Sequence, residues 1–146
     1  MDLINYAAGV AVVSALSTVG VAQAGPEVQI TFKNNSVSEA VYDTLGSSAY
    51  SYGEASPKPA ATVRGGESNV SKVRGGLSVD VTSVVFQYRI GTKTCKFKTS
   101  YLKLPGRGVP PKWTKSSEPG GGARCDARIT ATNAATHAWA VEFTMR

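Results

Sequence analysis

Residues 93–104 read KTCKFKTSYLKL, and no other segment of this 146-residue chain restricts its fold as tightly. Alternation puts Cys95, Phe97, Thr99 and Tyr101 on one side and Lys96 and Lys98 on the other, as in a strand with one buried and one wet face. The closing run HAWAVEFTMR repeats that period, with Trp139, Val141, Phe143 and Met145 as the inward row. EVQITFK does so through Val28, Ile30 and Phe32 and stops at Asn34-Asn35-Ser36. LSVDVTSVVFQYRI (77–90) is rich in β-branched residues and long enough to bend or bulge at Thr82-Ser83. ARCDARITAT (123–132) predicts a further strand and SEAVYDTL (38–45) a weaker one.

Turn chemistry separates these runs. GSSAYSYGEASPKPAAT (46–62) predicts a polar loop anchored by Tyr50, Tyr52, Pro57 and Pro59, the prolines arguing against a central strand. LPGRGVPPKW (104–113) and SSEPGGGA (116–123) predict two more loops. Many short strands broken by turns predict an all-β fold, an antiparallel β-sandwich or open barrel. Cys95 and Cys125 each lie on a strand, and in an exported chain they predict one disulfide. That bond would close a loop of roughly 30 residues and contribute about 3 kcal/mol through chain entropy.

The first 24 residues differ from everything after them. MDLINYAAGVAVVSALSTVGVAQA carries no Lys or Arg, stays apolar, small or hydroxylated from Ala7 to Ala22, and closes on Ala22-Gln23-Ala24 before Gly25-Pro26. Small residues at those two positions suit a signal peptidase, although Asp2 stands where a signal peptide carries positive charge. Residues 1–24 therefore read as a signal peptide or as a retained apolar helix, about 36 Å long, able to anchor or assemble the protein. Residues 25–146 form the single β-sandwich domain. The expected location is secreted, periplasmic or cell-envelope, with incorporation into a filament or virion as the alternative.

VRGGESNVSKVRGGLS (63–78) contains Val-Arg-Gly-Gly twice. A phosphate cradle needs Lys-Ser/Thr after the glycines and a helix start, and neither follows. Arg-Gly-Gly boxes for nucleic acid work as longer disordered repeats, whereas these copies flank short strands. They predict two tight turns, and a nucleic-acid partner is not favoured. Asn34-Asn35-Ser36 and Asn69-Val70-Ser71 have the form of glycosylation sequons.

Catalytic patterns are missing: no Gly-x-Ser-x-Gly, no His-Glu-x-x-His and no Cys-x-x-Cys occurs, and His137 is the sole histidine. No carboxylate spacing singles out an acid–base pair. The chain is read as a non-enzyme without a cofactor or metal; a small secreted hydrolase using His137 is the weakest alternative. The positive signal is electrostatic. Sixteen Lys and Arg face ten Asp and Glu, and no acid lies between Asp80 and Glu118. Lys93, Lys96, Lys98, Arg107, Lys112 and Trp113 form the candidate binding set, a basic face with an aromatic rim. It suits an anionic surface such as lipid headgroups or acidic glycan, while strand lysines also block edge pairing. The function expected is binding through this face or assembly, with a structural subunit packed through residues 1–24 as the alternative.

Overall fold

Period-two burial turns most of the alternating runs into strands. The computed structural model describes residues 24–146, so the reading of residues 1–24 as signal or helix falls outside the described residues but for Ala24. Nine strands and one helix follow in order: β1 (Glu27–Asn34), β2 (Ala40–Tyr42), α1 (Gly46–Glu54), β3 (Thr62–Val63), β4 (Ser68–Arg74), β5 (Val81–Ile90), β6 (Lys93–Leu102), β7 (Lys112–Gly120), β8 (Cys125–Thr132) and β9 (Trp139–Met145). They form two sheets, ordered β4-β1-β9-β8 and β3-β2-β5-β6-β7.

The core is the sum of the inward rows. Val28, Ile30, Phe32, Phe86, Tyr88, Phe97, Val141 and Phe143 are all essentially inaccessible to solvent. Phe32 stacks on Tyr88 at 3.5 Å between centroids, and Phe97 stacks on Phe143 at 4.6 Å, so aromatic pairs join the two sheets. The Cys95–Cys125 disulfide ties β6 of one sheet to β8 of the other, with 5.7 Å between Cα atoms. A polar pin runs beside it: Trp139 Nε1 donates to Thr99 Oγ1 at 2.9 Å, and that hydroxyl donates to the Thr114 carbonyl at 2.8 Å.

Four features differ from the sequence reading. Strand pairs are antiparallel except β1 with β9, which run parallel from Val28↔Trp139 to Asn34↔Met145. The β5–β6 ladder passes through Thr82 and Ser83 without a bulge, and the irregularity falls instead between Ile129 and Ala131 of β8. Residues 112–120 form strand β7 despite Pro119, which an edge strand tolerates because its outer N–H side needs no partner.

The fourth difference is α1, where a loop was expected. Its Gly- and Ser-rich sequence has low intrinsic helicity, so distant bonds hold it. Tyr42 Oη donates to the Ser48 carbonyl at 2.8 Å, and the Ser48 hydroxyl donates to the carbonyl oxygens of Asp43 and Leu45. β2 pairs with β5 only at Val41↔Arg89 and Tyr42↔Tyr88. The helix covers the β5 edge below that point, where the Val85 N–H donates to Ser51 Oγ at 2.9 Å.

Both Arg-Gly-Gly copies are turns, but neither closes a hairpin. β4 pairs with β1, so each copy carries the chain from one sheet to the other: Arg64–Gly66 from β3 to β4, and Arg74–Gly76 from β4 towards β5. The two sites need glycine for different reasons. Gly66 adopts φ +79°, while a Cβ at Gly75 would stand 2.8 Å from Thr82 Oγ1. The first sequon is also structural. Asn34 is fully buried, and its Nδ2 donates to the carbonyls of Ser38 at 2.7 Å and Val63 at 2.9 Å. In the folded domain that amide is closed to a glycan.

Candidate functional site

β6 and its neighbours distribute the candidate basic residues over three places. Lys96 and Lys98 share the outer face of the five-stranded sheet with Arg89 and Gln87 of β5. On the other side, Glu118 of β7 sits opposite Lys96 and accepts a 2.7 Å ion-pair hydrogen bond from Lys98 Nζ. That bond, with the positive field of both lysines, holds the Glu118 carboxyl below its ordinary range. The face therefore carries an internal counter-charge that the acid-free run between Asp80 and Glu118 conceals. An exposed pair of this kind adds little to stability, but it reduces what the face can offer an external anion.

Lys93 lies elsewhere. It starts β6 beside the Gly91-Thr92 turn, in the cleft lined by Val37, Glu39 and Ile90 at the opposite end of the sandwich from Gly25. Arg107 and Lys112 belong to the Gly25 end. Arg107 is exposed in the 103–111 loop, and Lys112 opens β7 opposite Leu102. Trp113 is half-buried: its ring lies 5.8 Å from that of Tyr101, and Nε1 donates to the His137 carbonyl at 3.1 Å.

Several segments meet at this Gly25 end. The Gly25 N–H donates to the Gly75 carbonyl at 2.7 Å, and Thr82 Oγ1 donates to the Pro26 carbonyl at 2.9 Å. The Lys103 N–H donates to the Asp80 carbonyl at 2.9 Å, joining the 75–81 segment to the 103–111 loop. Large apolar side chains are exposed here: Leu77 at 89%, Leu104 at 53%, with Val81 and its register partner Leu102 beside them. Tyr50, Leu77 and Val81 line one shallow cleft, so the patch continues onto α1. Lys103, Arg107 and Lys112 supply three cations on one loop and its strand start, and that stretch holds no acid. Asp80 and Glu54 are the acids on the 75–81 side, with Glu54 close to Gly76.

His137 occupies the same end, on the turn before β9. It takes φ +62°, a left-handed conformation costing on the order of 1–2 kcal/mol for a non-glycine residue. Its position is held on two sides. Nδ1 shares a 2.7 Å hydrogen bond with Tyr101 Oη, while its carbonyl takes the Trp113 N–H. The ring lines a cleft of about 510 Å³ with Pro26, Glu27, Arg74 and Val79. The Tyr101 hydroxyl orients the ring through Nδ1. Among the described residues no group of three or more His, Cys, Asp or Glu could hold a metal ion, and no helix is long and apolar enough to cross a membrane.

The candidate binding set leaves out Leu77, Leu104 and Lys103, although Lys103 stands among the cations of the acid-free run. The signal was present, since Leu77 follows Gly75-Gly76 and Leu104 precedes Pro105-Gly106, at the outer ends of the strand runs. What sequence could not show was the Lys103–Asp80 contact that brings the two loops together. No known protein family matches the chain, and no curated protein matches it either.

Proposed function

We propose that this protein is a non-catalytic, exported, envelope-associated β-sandwich that works by binding an anionic surface. One observation carries the reading: Lys103, Arg107 and Lys112 gather at the end where Ala24 joins the domain to the apolar stretch of residues 7–22. The disulfide between the sheets is compatible with an oxidising compartment. Lys96, Lys98 and Arg89 add a second positive field on the sheet face, reduced by Glu118.

The test is retention of the full-length protein on immobilised heparin and on anionic vesicles at rising salt. Binding that weakens steeply as salt shortens the screening length supports the reading. Absence of binding to both matrices at low salt sinks it. The alternative, a structural subunit of a filament or virion, draws on the same exposed Leu77 and Leu104. It requires large particles in sedimentation of native material, and a monomer there removes it.

A further inference from the structure

We infer that the anionic partner is a lipid bilayer, and that the protein meets it with the Gly25 end, through the 75–81 segment and the 103–111 loop. This rests on the anionic-surface reading above and adds the chemistry of the partner and its place on the fold. Cations alone would suit a glycan, a nucleic acid or a membrane. Exposed leucines beside them narrow the choice, because only the bilayer interface offers anionic headgroups next to an acyl boundary. Leu77 and Leu104 are the apolar residues most available for that boundary, with Val81 and Leu102 behind them. Lys103, Arg107 and Lys112 stand on the same loop and strand start, at headgroup level in this orientation.

Chain connectivity points the same way. Gly25 is fixed to Gly75, next to the Leu77 segment, and the apolar stretch of residues 7–22 lies immediately upstream in the sequence. A membrane contact at this end sets Gly25, where the described chain enters the domain, on the same side as the exposed apolar side chains. A second copy is a poorer occupant. An isologous contact would bring together two copies of a patch in which Lys103, Arg107 and Lys112 outnumber Asp80 and Glu54. The β6 face, with Lys96 and Lys98, lies along the side of the sandwich in this orientation and stays in water.

The experiment uses the full chain carrying a single environment-sensitive fluorophore, nitrobenzoxadiazole, on an introduced cysteine at Leu104→Cys or at Lys96→Cys. Both positions are on the surface, and the native cysteines are paired. Vesicles are phosphatidylcholine alone or an equimolar mixture with phosphatidylglycerol. The inference expects a blue shift at position 104 with the anionic vesicles, a much smaller one with neutral vesicles, and none at position 96. Lys103→Gln with Arg107→Gln is expected to weaken vesicle binding about thirtyfold, from the usual worth of a basic residue near an anionic surface. A shift at 96 with none at 104, while the protein still pellets with anionic vesicles, overturns the proposed orientation and leaves the anionic-surface reading intact. Retention on heparin without vesicle binding makes the partner an acidic glycan and overturns the inference alone. Self-association with a shift at 104 in the absence of vesicles assigns the patch to a second copy and overturns it too. Binding to neither heparin nor vesicles overturns both readings.

Discussion

Buried polar side chains are where this fold is most exposed to single substitutions. Asn34 closes four hydrogen bonds, giving two to the carbonyls of Ser38 and Val63 and accepting two from the amide and hydroxyl of Ser36. An aspartate has nearly the same shape but cannot donate. Asn34→Asp is therefore expected to lower unfolding free energy by about 2–3 kcal/mol, read by urea denaturation, because buried acceptors are left unpaired beside a new charge. A change inside the experimental scatter would mean the loop relaxes around it. Tyr88 presents the reverse case. Its ring is fully buried against Phe32, and its hydroxyl has no hydrogen-bond partner among the described residues. Tyr88→Phe should raise stability by about 1 kcal/mol, since it removes a polar atom that is paid for and unused. Asn34 also shows the limit of a motif read alone: the sequon letters are correct, but their amide belongs to the core.

At the scale of elements, alternation was legible wherever a strand had one face in the core. β1, β6 and β9 buried the residues their period marked, because period-two burial is written directly into side-chain polarity. β7 was illegible for the same reason. It lies at a sheet edge with most of its residues exposed, so its composition resembles a loop. α1 was missed because Ser48 and Ser51 act through Asp43, Leu45 and Val85, and local propensity carries no trace of the bond to Val85. The Arg-Gly-Gly turns were legible as turns, but which sheet each strand joins depends on β1, far away in sequence. The cysteine pair was legible because both residues lay in inward rows. Reduction of Cys95–Cys125 frees a constraint spanning 30 residues and should cost about 3 kcal/mol, lowering Tm by roughly 10–20 °C. Calorimetry with and without reductant reads this directly, and superimposable melts would show that the bond adds nothing to stability.

Across the whole molecule, ion pairs sit on both sheet faces. On the four-stranded sheet, Glu142 is bracketed by Lys33 at 2.8 Å and Arg128 at 3.1 Å, and on the other Glu118 answers Lys98. Each face thus carries internal counter-charge, and the Gly25 end combines Lys103, Arg107 and Lys112, with Asp80 and Glu54 as its acids, and exposed leucines. The sequence displayed the cations as one acid-free run; folding separates Lys93 from Arg107 and Lys112 and joins the 75–81 segment to the 103–111 loop through Lys103 and Asp80. Alkaline pH probes the global fold through its buried phenols. Burial, with smaller effects of neighbouring acidic groups, raises the Tyr42 and Tyr88 hydroxyls well above their usual value near 10. The unfolded chain releases these protons at lower pH than the folded one does. Stability is consequently full below about pH 10 and falls as pH rises above it. Thermal melts across that range should show the decline, and Tyr88→Phe should flatten it; equal slopes in the two proteins would remove Tyr88 as a cause.

The central claim is that the Gly25 end, rather than the lysine face of β6, meets the partner surface. Backbone hydrogen exchange of the full-length protein, with and without anionic vesicles, tests it most directly. The account predicts slowed exchange in residues 75–81 and 103–111 and unchanged exchange in β6 and β7. Protection confined to the β6–β7 face, or none anywhere on vesicle-bound protein, would contradict it.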